Sequence, residues 1–202
     1  MGALGAEPEG ATPLTEDDLK GLKIDWVRNR GDLDIVESQG VGLARRIYLG
    51  RKNELSELLD DYFIRQLHQT MFQDVWTWAG KYRTKDLNIG VDFQVVAMEV
   101  RNMVSDAEYW LKVENDLDMD LAIVKIHHRL VQIHPFNNGN GRLGRVYVDL
   151  LARTVGRPPL NWRGNSEGYP DGFRSTYIKA LIAADGGNLQ PLLEFVRSEQ
   201  AH

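Results

Sequence analysis

Between His134 and Arg145 the chain reads His-Pro-Phe-Asn-Asn-Gly-Asn-Gly-Arg-Leu-Gly-Arg. A histidine, a glycine-rich turn and two arginines in so short a stretch suit a polyphosphate held beside a general base. Gly139 and Gly141 let the backbone aim its amides at an anion. The apolar run from Val146 to Leu151 predicts that the turn opens a helix, whose N-terminus favours negative charge. Arg142 and Arg145 share one face of that helix and suit a paired grip on one triphosphate. His134 is placed to accept a proton from an attacking hydroxyl near neutral pH. Pro135 sets the backbone after the histidine, and Phe136 is expected to anchor the loop in the core. Each piece alone also has an ordinary use, since Gly-Asn-Gly is a common turn and a histidine before proline is more often structural.

The elements that must hold these residues are helical. Leu121, Ile123, Val124, Ile126, Leu130, Val131 and Ile133 predict a buried central helix starting at Asp118 or Asp120. A base at the end of such a helix is held by the core and not by a loose loop. Upstream, Thr15 and Asp18 can cap a short helix, Asp32 a second carrying Leu33, Val36, Leu43 and Ile47, and Asn53 a third running to Leu67. Gly40 and Gly42 weaken the middle of the second. Val96 to Leu111 is helical in period, Gly156 and Pro158 end the motif helix, and Asp171 to Ala184 and Leu189 to Val196 complete a bundle divided at Gly186-Gly187. Over 83–94 the period changes to two, with Leu87, Ile89, Val91 and Phe93 alternating with Asn88, Gly90 and Asp92. That pattern reads as a hairpin whose edge accepts a peptide by strand addition, or as a plain connecting loop.

At 202 residues, 43% hydrophobic and 26% charged, the chain has the composition of one soluble globular domain with an N-terminal extension. A net charge of -5 argues against coating nucleic acid, so no direct nucleic-acid binding is expected. With no cysteine, disulfides, thiolate metal sites and cysteine nucleophiles are excluded. No apolar run has the length of a membrane span and the N-terminus lacks the pattern of a signal peptide, so a cytoplasmic location without membrane attachment is expected. Residues 1–14, rich in Gly, Ala, Pro and Glu, read as a flexible segment.

Taken whole, the motif string resembles that of the Fic/DOC family: His-Pro-Phe, any residue, Asp or Glu, Gly-Asn-Gly-Arg, any two residues, Arg. The stretch Phe72-Gln73-Asp74-Val75-Trp76-Thr77-Trp78-Ala79-Gly80-Lys81-Tyr82-Arg83 resembles the segment that precedes the Fic flap. Tyr177 to Leu181 and Asn188 to Phe195 resemble the closing helices, so the resemblance runs from about Glu54 to Val196. Gly10-Ala11-Thr12-Pro13-Leu14 and the Asn-bearing motif look most like the subgroup called mobile mystery protein B. The resemblance implies an all-α Fic-type bundle with a short β-hairpin flap, divided as a flexible segment 1–14, a helical extension 15–53 and a Fic domain 54–199.

The activity implied is transfer of AMP from ATP to a Ser, Thr or Tyr hydroxyl of a target protein docked on the 83–94 flap. His134 is then the base, Gly139, Asn140 and Gly141 the phosphate cradle, Arg142 the stabiliser of the breaking phosphates and Arg145 the grip on the terminal one. The chain departs from the pattern at Asn138, where a carboxylate would hold magnesium or manganese. An amide is a poorer ligand for a hard cation. Three outcomes are open: metal held mainly by the phosphates with Asn138 a weak ligand, a different donor or reaction such as phosphotransfer, or a nucleotide-binding regulatory or toxin-like module with little turnover. The family's restraining string, Ser or Thr, three residues, then Glu and Gly or Asn, is absent; Glu9-Gly10 and Glu167-Gly168 lack the hydroxyl residue. Restraint, if any, is therefore expected from the weakened metal site itself or from a separate companion, which the subgroup suggests is a small helix-turn-helix protein of a toxin-antitoxin-like pair. His127 and His128 read as one packed and one solvated histidine rather than a metal site. Trp76, Trp78 and Trp110 read as core more than as adenine stackers, and His68 carries no assigned role.

Overall fold

The apolar stretch after Asp118 folds as the helix at the centre of the molecule, with Ala122, Ile123, Val124, Ile126, Leu130 and Ile133 buried. The computed structural model describes residues 4, 10, 12–112, 118–162 and 173–197. Among these the helices are α1 (Glu16–Leu19), α2 (Arg30–Leu49), α3 (Leu55–Leu58), α4 (Asp61–Phe72), α5 (Val96–Lys112), α6 (Met119–Ile133), α7 (Asn140–Thr154), α8 (Phe173–Asp185) and α9 (Gln190–Arg197). Helix α6 packs between α5 and α7, while α4 bridges α2 to α7 and α8 pairs with α9. No helix among the described residues is long and apolar enough to cross a membrane.

The caps follow local chemistry. Thr15 and Asp18 form a reciprocal capping box on α1. On α2 the cap is Asn29, and Asp32 answers from the third helical position. The helix expected from Asn53 is two helices, because Asn53 turns back to donate to the Tyr48 carbonyl at 2.8 Å and Asp60 caps a fresh start at α4. Gly40 does not break α2. A Cβ there would collide with the Met71 carbonyl, so the glycine lets α2 and α4 approach closely. Asp171, expected at the start of α8, lies outside the described residues, as does Glu167-Gly168.

The short β-hairpin expected over 83–94 is not formed. The segment is a series of turns closed by a 3-10 turn at Phe93–Val95. The Arg83 side chain explains the difference. Its guanidinium lies inside the loop and donates to the carbonyls of Lys85, Val91 and Ile133, occupying acceptors that a ladder would use. The loop backbone instead bonds to the end of α6, Arg83 N–H to the Pro135 carbonyl at 3.0 Å and Val91 N–H to the Ile133 carbonyl at 3.3 Å. The alternation was real, but this segment pairs with the motif, not with itself. Among the described residues the one β-type contact is an isolated antiparallel bridge, Leu22 to Trp76, which ties the N-terminal extension to the core.

Candidate active site

His134 caps α6 in the left-handed region, φ 54°, ψ 60°, the one non-glycine residue of positive φ among those described. Such backbone is costly and persists only when its surroundings fix it. Here the His134 N–H donates to Leu130 and its carbonyl accepts from Arg83 Nε at 2.8 Å. The ring is fixed as well. Nδ1 lies 3.1 Å from the Val131 carbonyl, which can only accept, so Nδ1 carries the hydrogen. Nε2 is then a bare lone pair, and 3.0 Å from it lies the Thr12 hydroxyl, which donates. Burial, offset in part by the Val131 bond and reinforced by Arg83, pushes the ring down to about 4. At neutral pH His134 is uncharged and has a hydroxyl hydrogen-bonded to its free nitrogen.

The loop after it is held from inside. The Asn140 side chain accepts from Phe136 N–H at 2.9 Å and donates to the Phe136 carbonyl at 2.7 Å, closing the turn. Phe136 is fully buried and stacked on His68, with ring centroids 3.8 Å apart. His68, unassigned by sequence, is the loop's second support. Its Nδ1 accepts from Gly80 N–H, so Nε2 carries the hydrogen and donates to the Asn138 carbonyl at 3.1 Å. A buried histidine on the apolar stripe of α4, where its neighbours in period are core residues, was the available signal.

Gly139 begins α7 with φ 79°. A Cβ there would lie 2.6 Å from two carbons of the Phe72 ring. Gly139→Ala is therefore expected to cost about 1–3 kcal/mol of stability and to weaken ATP binding, read by thermal unfolding and calorimetry. An alanine variant with unchanged melting and affinity would show that the turn does not need this geometry. The first amides of α7 have no acceptor within the helix and point out at its positive end, where an anion fits.

The two arginines diverge. Arg142 Nη2 pairs with Glu37 Oε2 of α2 at 2.7 Å, touches Asn138 Oδ1 at 3.4 Å and lies over the Phe72 ring. Glu37 is 2% exposed, and its other oxygen accepts from Trp76 Nε1 at 2.7 Å. Arg145, one turn on, lies 5.9 Å from the Tyr177 ring centroid of α8 and near Gly141. The restraining string does not single out Glu37, since it asks for a hydroxyl four residues earlier and Gly or Asn next, where Leu33 and Ser38 stand. A carboxylate on the buried stripe of α2, beside Val36 and four after Leu33, was the signal.

Asn138 Oδ1 is spent within the turn, accepting from Gly139 N–H at 2.6 Å. No group of three metal-ligating side chains gathers among the described residues. The described residues around the turn therefore do not fit a protein-held metal. His127 is buried between Trp162 and Tyr177, bonded to the Tyr177 hydroxyl at 2.9 Å, while His128 pairs with Asp185 at 2.8 Å. Trp76 and Trp78 stack on each other, and Trp110 covers Lys125.

Burial also holds His68 and His127 down, each to about 3, against an ordinary value of 6.5. The unfolded chain protonates these rings and His134 near 6.5 while the folded chain does not. Folding stability is thus expected to fall as pH drops from 6.5 towards 4, by about 1.4 kcal/mol per pH unit for each ring. Denaturant midpoints should be flat from pH 8 to 7 and fall steeply below 6.5. A flat profile down to pH 4 would contradict the burial of these rings.

A buried helical core thus presents a strained, neutral histidine beside a glycine turn and a helix N-terminus, an arrangement that can hold an anion next to a proton acceptor. Residues 58–152 match the Fic/DOC family. It is similar to protein adenylyltransferase fic-1 of Caenorhabditis briggsae, 33% identical over 122 residues, 58% of this chain and 22% of the relative. Protein adenylyltransferase Fic of Drosophila mojavensis is 29% identical over 120 residues, again 58% of this chain and 22% of the relative. The chain thus spans under a quarter of the length of these relatives. Among solved structures, Fic-1 of C. elegans superposes with a TM-score of 0.66 at 23% identity, over 86% of this chain and 50% of that one. The N-terminal Fic domain of a Bartonella quintana VirB-translocated Bep effector protein, with bound ADP, gives 0.62 at 16% over 85% and 86%.

Proposed function

We propose that this chain is a protein nucleotidyltransferase that moves AMP from ATP to a hydroxyl of a protein target. The observation that carries the reading is the 3.0 Å bond from a hydroxyl to the unprotonated Nε2 of His134. In the reaction a target hydroxyl takes that place and gives its proton to Nε2 as its oxygen attacks the first phosphorus. The bond to pyrophosphate breaks as the new one forms. The N-terminal turn of α7, at Gly139, Asn140 and Gly141, and the guanidinium groups of Arg142 and Arg145 hold the phosphate charge. The adenylyltransferase names of the relatives and the ADP bound to the Bartonella domain support both the donor and the site.

The finer assignments follow from the same reading. The Fic domain is taken as 54–199, after a helical extension at 15–53. Magnesium or manganese enters with the nucleotide, held chiefly by phosphate oxygens, with Asn138 at most a weak ligand. The target lies against the 83–94 loop, which serves as the flap although it is not a hairpin. The Asn-bearing motif supports the mobile mystery protein B subgroup, and with it a helix-turn-helix companion and a cytoplasmic, toxin-antitoxin-like setting. The test is mass analysis of lysate proteins after incubation with the chain and ATP, CTP, GTP or UTP. A His134-dependent gain of AMP is the expected result. A gain of a different nucleotide would change the donor, and no His134-dependent gain with any of them would overturn the reading.

A further inference from the structure

Gly10 and residues 12–15 lie beside the base. Gly10 lies against Ile178 of α8, where a Cβ would come within 2.7 Å of its Cδ1. Lys85 of the flap loop donates to Thr15 Oγ1 at 2.6 Å and to Asp18 Oδ2 at 3.0 Å. Between these two holds Thr12 is 6% exposed, with its hydroxyl on His134 Nε2. Pro13 follows Thr12 and favours extended backbone in the residue before it, the form in which a peptide offers one side chain to a site. Thr12 thus lies between a hold on the flap side and one on the α8 side, and the group it presents to the base is a hydroxyl, the kind that the proposed transfer consumes.

We propose that Thr12 is a substrate of its own chain, taking a nucleoside monophosphate from the bound nucleoside triphosphate within one molecule. The inference rests on the nucleotidyl-transfer reading above. The Thr12 Oγ–H proton passes to His134 Nε2 while Oγ bonds to the first phosphorus. The bond from that phosphorus to the bridging oxygen of pyrophosphate breaks, and pyrophosphate leaves with the electron pair. His134 then gives its proton to pyrophosphate or solvent. A threonine serving only to cover the histidine would not be consumed, and this separates the two roles.

The full chain is incubated with ATP and magnesium in a cell lysate, and its peptides and the lysate proteins are mapped by tandem mass spectrometry. One adenylyl group is expected on Thr12, at a fractional rate independent of protein concentration. The label should vanish in Thr12→Val and His134→Asn and persist in Thr12→Ser, which keeps a test available if the valine chain melts early. Adenylylated lysate proteins or other residues with Thr12 unmodified would overturn the inference and leave nucleotidyl transfer standing. Label on Thr12 whose fractional rate rises with protein concentration would overturn the intramolecular step. No His134-dependent label anywhere would overturn both.

Discussion

Replacing His134 with asparagine is expected to lower turnover by about 10²–10⁴-fold, the usual contribution of a positioned general base, with ATP affinity nearly unchanged. Asparagine is the informative substitution because His134 sits at φ 54°, in the region where asparagine is tolerated better than alanine. The backbone that accepts Arg83 Nε and leads into Pro135 should survive. What is lost is the lone pair at Nε2, the ring nitrogen not committed to the protein backbone. Equilibrium ATP binding and single-turnover rates measured on the same preparation separate the two effects. Turnover that survives His134→Asn would place the base elsewhere, and a parallel collapse of affinity would make His134 a binding residue.

Glu37→Gln is expected to tighten ATP binding by about tenfold. The Glu37 carboxylate holds Arg142 at 2.7 Å, in the position that the proposed function gives to a phosphate oxygen. Nucleotide entry must therefore break a charge-assisted bond worth roughly 1.5–3 kcal/mol. Glutamine keeps an oxygen for Trp76 Nε1 and similar volume but removes the charge that competes with phosphate. The same change leaves the partly covered Arg142 without its counter-charge, so a loss of about 1 kcal/mol of stability should accompany the gain in affinity. Calorimetric titration with ATP, beside denaturant melts, reads both. Weaker binding by Glu37→Gln would mean that the carboxylate orients Arg142 for phosphate instead of occupying it. Tighter binding in Glu37→Gln would make this contact a restraint within the chain, acting beside any companion protein.

The fold was readable wherever one face of a helix is buried, because period and caps act locally. Thr15 with Asp18, the buried run of α6 and the double glycine before α9 are examples. The motif also located the turn and the ring of His134 beside it, since Pro135, Phe136 and the glycines act within a few residues of His134. What stayed hidden depends on contacts between residues far apart in the chain. The hairpin pattern over 83–94 was genuine, but whether its carbonyls meet a partner strand or the Arg83 guanidinium is not a local property. Glu37 and Arg142 are separated by α3, α4, α5 and α6, so no string search could join them. Thr12 stands at still greater separation from His134, in a segment whose composition reads as flexible. His68 looked like any inward-facing histidine until its two nitrogens were seen to fasten Gly80 and Asn138.

Parallel reactions with ATP labelled on the first or on the terminal phosphate decide whether this site transfers a nucleotide. The label should move from the first phosphate to protein, with pyrophosphate released in equal amount, and should not move in His134→Asn. Transfer of the terminal label instead, with ADP as product, would contradict nucleotidyl transfer and reassign the site to phosphoryl chemistry.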